Sequence, residues 1–153
     1  MSRVYDVRAA LRAMCAAAVP TADISGFIED VSRPDIIHAN GSLIGDPGDP
    51  GEPEYDLSPV AYTFTHRIPV DLCIPAFNPD GSKVNDLVLS QMLLPLGAAI
   101  IANRSLGGLC NWLEVTPVRV TSDAVQGTTG AVPIRVASFE FIAEYTVSDP
   151  LGN

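Results

Sequence analysis

Two histidines and three cysteines are the residues of this chain best suited to act as base, nucleophile or soft metal ligand. His66 and Cys73 stand seven residues apart in one strand-like stretch. Successive strand side chains point to opposite faces, so an odd spacing separates the two and no dyad forms along that strand. His66 with Cys15 or Cys110 stays open, although no spacing argues for it. A lone histidine on an apolar strand face is expected as a hydrogen-bonded structural residue. His38 has no ligand-spaced partner. Cys15, Cys73 and Cys110 lie far apart, form no C-x-x-C pair and are odd in number. That pattern predicts reduced, buried thiols in a reducing compartment.

The longer motifs are missing as well. The sequence has no zinc spacing, Walker loop, G-x-G-x-x-G or G-x-S-x-G. Arg104-Ser105-Leu106-Gly107-Gly108 imitates a phosphate loop, but it follows a helix pattern, and a helix C-terminus repels anions. Asp71 and Glu114 are carboxylates near strands with no readable acid–base partner, and Trp112 is a core or interface anchor. The sequence therefore predicts no catalytic residue, no cofactor and no metal.

One charged stretch stands out. Gly45 to Pro53 reads GDPGDPGEP, and Asp46, Asp49, Glu52, Glu54 and Asp56 crowd into eleven residues. No basic residue intervenes between His38 and His66. Proline in every triplet opposes the tight wrap of a calcium loop. The expectation is an acidic, mobile loop over 45–58 with local polyproline-II tendency, or a loop that orders on contact with a partner.

The totals set wider bounds. The chain has 153 residues, 47% of them apolar, enough for one domain with a real core. Lys plus Arg number 9 against 18 Asp plus Glu, a formal charge of −9. A nucleic-acid binder needs a basic footprint, so specific DNA binding is not expected, although passage of DNA past an acidic surface is compatible. Asp6 and Arg8 interrupt any signal-like N-terminus. The apolar run 92–102 holds Pro95 and Gly97 and is too short to cross a bilayer. A soluble, unexported protein is expected.

The elements that must position these residues follow from hydrophobic period. Val4 to Ala18 reads as a helix with Ser2 as its cap and Asp6 in the first turn. Asp23 to Val31 is a weak strand in which Gly26 marks a bulge or a close contact. Pro59 to Pro75 is a long strand, apolar at Val60, Tyr62, Phe64, Ile68, Val70, Leu72 and Ile74, with His66 in the same phase. Fifteen residues at about 3.3 Å each span roughly 50 Å, longer than a compact domain of this size. Asn78 to Gly81 is a turn. A second helix runs from Ser82 or Asn85 to about Arg104; Pro95 should kink or split it, and its apolar girth places it centrally in the core. Leu113 to Ser122 is a strand with Pro117 at an edge or bulge. Gln126 to Ala131 is a turn, and Val132 to Val147 is a last strand. Its apolar phase slips at Ala137-Ser138, which predicts a β-bulge. Residues 148–153 are a tail. The fold class is α+β, a twisted, mostly antiparallel sheet with two main helices on one face and long strands reaching toward neighbouring subunits.

In this order of elements the chain resembles the tail terminator (tail completion) proteins of long-tailed bacteriophages. The resemblance rests on VRAALRAMCAAAVP, AYTFTHRIPVDLCI, DLVLSQMLLPLGAAIIAN and FEFIAEYTVSDPL, and covers most of the chain. It implies a structural virion protein rather than an enzyme. The implied assembly is a hexameric ring that caps the tail tube, ends its growth and joins the head connector. It would act at the head-proximal end of the tail and form in the host cytoplasm. The implied partners are further copies of the chain, the tail tube protein and head–tail connector proteins, with DNA passing through an acidic lumen. The loop acids Asp46, Asp49, Glu52, Glu54 and Asp56 suit that lumen. The long strands suggest Arg67, Ile68, Val70, Leu72, Phe139, Phe141 and Tyr145 as subunit interface. Two rivals are another ring or tube protein of the virion, such as a head–tail joining or tail tube subunit, and a small enzyme using His66 or a cysteine in a concave pocket.

Overall fold

In a computed structural model of the chain, residues 2–29, 37, 39–127 and 130–151 are described. The first helix, α1 (Arg3–Ala18), starts where Ser2 Oγ accepts the Tyr5 amide at 3.4 Å, a cap worth about 1 kcal/mol. It ends at Val19, whose amide bonds the Cys15 carbonyl. Val7, Leu11 and Cys15, spaced at i, i+4 and i+8, are its buried stripe.

Two short strands follow, β1 (Asp23–Gly26) and β2 (Ser42–Gly45), paired in parallel. The strand expected to run to Val31 stops at Gly26, where Phe27 turns with a φ of +66° and the Ile28 amide bonds back to the Gly26 carbonyl at 2.8 Å; residues 30 and 31 lie outside the described residues, as does His38. Gly26 makes the close contact foreseen there. Its φ is +78°, and a Cβ would sit 2.0 Å from the Gly45 carbonyl oxygen. The ring of Phe27 then lies against Gly45, where a side chain would meet it at 2.5 Å.

Next come β3 (Glu54–Leu57) and the long strand β4 (Val60–Pro75), joined through Ser58 and Pro59. After β4 the chain makes the Asn78–Gly81 turn and enters α2 (Leu87–Ala102). The Asn85 side chain accepts the Leu87 amide at its start. The expected strand over 113–122 is two strands, β5 (Trp112–Val115) and β6 (Arg119–Gly127), broken around Pro117. The final strand β7 (Gly130–Val147) is the longest.

Together these form a mixed, mostly antiparallel seven-stranded sheet, with β1, β2, β4, β7 and β5 adjacent in that order. The pair β3–β4 continues the sheet past one end of β7, and β6–β7 continues it past the opposite end of β4. Both helices pack on one face. There Val7, Leu11, Leu89, Leu96 and Ile100 meet Phe64, Ile68, Leu72, Phe139, Phe141 and Tyr145.

Further expectations need correction. The register between β4 and β7 runs unbroken from Tyr62↔Val147 to Pro75↔Ile134, so it holds no bulge at Ala137-Ser138. The phase slip instead marks a change of buried face. Ala137, Phe139 and Phe141 point to the helices. Ile134 and Val136 point the other way, into a second small core with Ile37, Ile44, Cys73 and Val125. The odd residue is taken up in the neighbouring β5–β6 segment, where three residues between Val115 and Arg119 face two between Ser138 and Phe141.

Helix α2 is one unbroken helix through Pro95. Gln91 and Pro95 both lie on its exposed side, so the carbonyl that loses its partner meets water. The helix is also less central than its composition suggests. Leu89, Leu96 and Ile100 are buried, while Leu94 and Ile101 are 72% and 73% exposed.

Candidate assembly surfaces

The acidic stretch also departs from expectation. It is neither free nor polyproline-like. Asp46-Pro47-Gly48 and Asp49-Pro50-Gly51 fold into two successive Asx turns, in which each aspartate Oδ1 accepts the amide of the glycine two residues on, at 2.7 and 2.8 Å. The turns lie along the edge of β4 between the places where β2 and β3 pair with it. The Asp46 amide bonds the Pro69 carbonyl at 2.8 Å, and the Asp49 backbone forms an antiparallel β-bridge with that of Arg67. Gly48 sits so close that a Cβ would fall 2.2 Å from the Arg67 carbonyl oxygen. All five acids of the stretch are exposed.

His66 fastens this strap. It is fully buried; its Nε2–H donates to the Pro47 carbonyl at 2.9 Å, and its Nδ1 accepts the Tyr145 hydroxyl at 3.1 Å. The Pro47 carbonyl can only accept, which fixes a proton on Nε2; in the neutral ring Nδ1 then accepts from Tyr145. Burial lowers its pKa below the ordinary 6.5. The Pro47 bond and Asp49 act against that shift, and the Arg8 guanidinium acts with it. Burial also pushes the Tyr145 hydroxyl up to about 12. Arg8 Nε is buried beside them without a hydrogen-bond partner among the described residues.

The thiols are placed for packing. Cys15, Cys73 and Cys110 are all buried and unbridged. Burial raises Cys15 to about 12 and Cys110 to about 11, which suppresses the reactive thiolate. Among the described residues no group of three or more His, Cys, Asp or Glu is placed to hold a metal ion, and no helix is long and apolar enough to cross a membrane. Asp71 accepts from Ser138 at 2.7 Å, and Glu114 pairs with Arg104 at 3.0 Å. The Arg104 guanidinium also stacks 4.6 Å above the half-exposed Trp112 ring. Each of these groups is engaged in holding the fold.

The residues expected at a subunit interface divide sharply. Ile68, Val70, Leu72, Phe139, Phe141 and Tyr145 are each no more than 5% exposed in the chain's own core. A neighbour cannot reach them without opening that core. Only Arg67 is exposed, and it pairs with Glu140 at 3.1 Å.

The exposed apolar residues lie elsewhere. The arm β3–β4 carries Tyr55, Leu57 and Val60, at 67%, 78% and 54% exposure. They share the face that the helices cover in the body of the sheet. Along α2, Leu87, Leu94 and Ile101 recur every seven residues on the outer side. Beside α2, Val118 and Val120 stand exposed where β6 leaves the body. Between helix and strand runs an apolar groove of about 100 Å³, lined by Leu93, Gly97, Ile100, Val115, Val118 and Phe139. Sequence reasoning missed these residues. The signal was present in α2, whose apolar residues are too many for one buried stripe. Larger hollows of about 540 and 480 Å³ flank Phe77 and Val84 at the start of α2. In the first, Arg135 is held by Asp86 at 2.8 Å. Compared with known proteins, the sequence matches no family model and no curated protein.

Proposed function

We propose that this chain is a structural assembly protein that closes into a ring with further copies of itself, in the manner of the phage tail terminators its sequence resembles. The observation that carries the reading is the pair of two-stranded arms. The sheet outruns its own helical cover at both ends, and the arms bear exposed apolar side chains. Contiguous exposed apolar surface is a mark of surfaces that meet partners. The titratable groups that could do chemistry support the same reading. His66 is sealed in the core, and burial raises the pKa of two of the three cysteines.

In this proposal a ring, hexameric by the resemblance, seats on the end of a tail tube, stops its growth and offers its other side to the head connector. The exposed acids Asp46, Asp49 and Glu52 line the passage for DNA, where like charge keeps the polyanion from adhering. The protein works as part of the virion at the head-proximal end of the tail, after assembly in the host cytoplasm. The test is tube growth watched by electron microscopy. Added to polymerising tail tubes, the protein is expected to end each tube in one ring and hold tube length constant. Tubes that keep lengthening, or filaments built of this chain alone, would contradict the terminator reading; the second outcome would indicate a tube subunit.

A further inference from the structure

We propose that the arm β3–β4 of one copy docks on the β6 edge and α2 face of the next copy, with β3 adding to β6 as an extra strand. This rests on the ring-assembly reading above. Among the described residues, β3 pairs only with β4 and β6 only with β7, so each leaves one edge of backbone groups unpaired. Open edges of this kind template strand addition. The open length matches. The Ala124 amide is already capped by the Asp123 carboxylate at 2.8 Å, which takes that donor out of the edge. Val118 to Ser122 remains, and β3 has four residues.

The facing is specified by both surfaces. In β3, Tyr55 and Leu57 lie on the helix-bearing face, and Glu54 and Asp56 on the other. In β6, Val120 lies on the helix-bearing face and Arg119 on the other. Joined with faces aligned, Tyr55 and Leu57 fall beside Val118 and Val120, over the apolar groove and against Leu94 and Ile101 of α2. Glu54 and Asp56 then fall beside Arg119. The flipped arrangement would lay two carboxylates on an apolar helix that carries no charge from Leu87 to Ala102. Arm and groove sit at opposite ends of the sheet, so a chain cannot fill its own groove. The contact is head-to-tail, and it closes a ring when the rotation permits. The occupant is a second copy because the one chain carries both halves, matched in length, polarity and charge.

The test uses the full chain and cysteine pairing, since the three native thiols are buried. Leu57→Cys and Val120→Cys are made as separate chains and as a double variant. Under mild oxidation each single variant is expected to stay unlinked. Their mixture is expected to give linked pairs, and the double variant a ladder ending at the ring. A charge exchange supplies a second arm. Asp56→Arg and Arg119→Asp should each reduce the assembly to single chains, and the two together should restore it. Rings that persist in both charge variants, with no mixed disulfide, would overturn the docking while leaving ring assembly intact. A parent protein that remains a single chain at every concentration, unlinked in the double variant, would overturn both.

Discussion

Replacing His66 with phenylalanine keeps a ring in the core and removes both polar contacts of the strap. Each lost hydrogen bond is worth about 1 kcal/mol net, and an orphaned buried hydroxyl costs a further 1–3 kcal/mol or so. Tyr145 is fully buried, so its hydroxyl incurs that cost, while the half-buried Pro47 carbonyl regains water. Extra apolar burial by phenylalanine returns about 1 kcal/mol. The expected loss is about 2–4 kcal/mol, a fall in Tm of roughly 9 °C for a chain of this length. Removing the hydroxyl as well, in His66→Phe with Tyr145→Phe, leaves no orphan, so the double variant should be more stable than His66→Phe alone. Urea titration of the four proteins gives the coupling, expected at about 1–3 kcal/mol.

The same substitution has a pH signature. The folded state holds His66 neutral below its ordinary 6.5. Between that lowered value and 6.5 the unfolded chain binds the extra proton, so stability is present above the window and falls as pH drops through it. The slope is at most about 1.4 kcal/mol per pH unit for one proton. Arg8 deepens the effect and Asp49 opposes it. His66→Phe should flatten this window and speed amide exchange at Asp46, whose N–H is held by Pro69. Additive stabilities in the cycle and an unchanged acid slope would refute the strap.

Gly48 and Gly51 have nearly the same φ, +69° and +70°, but only Gly48 abuts backbone. Gly51→Ala should cost about 1 kcal/mol, the left-handed penalty alone, and Gly48→Ala clearly more, read from the same urea midpoints. Ile68→Ala, in the core, should cost about 2–5 kcal/mol, whereas Leu57→Asp on the arm should leave single-chain stability within about 0.5 kcal/mol. Thiol reagents at neutral pH should label none of the three cysteines until the chain unfolds, as followed by mass spectrometry; rapid native labelling of Cys15 would contradict its burial.

The long strands were legible because strict alternation over a dozen residues admits no other structure. The α1 cap was legible because serine before an apolar stripe satisfies an otherwise unpaired amide. What escaped was decided by neighbours. Strand β2 is four residues long and fully buried, so it has no alternation to read. Strand β3 is fully exposed and acidic, and it exists only because β4 supplies its hydrogen bonds. The slip at Ala137 was visible, but a bulge and a change of covered face leave the same trace. Only the packing of Ile37, Ile44 and Cys73 on the far face distinguishes them. The candidate interface residues other than Arg67 lie in the core for a related reason: hydrophobicity marks both a core and a contact surface, and Ile68 and Leu57 differ in burial rather than in type.

The most direct measurement is the mass of the purified protein by light scattering over a wide concentration range, alone and with tail tubes. The account predicts one closed oligomer of fixed size, formed freely or on the tube end. A single chain at every concentration that ignores tubes would contradict it.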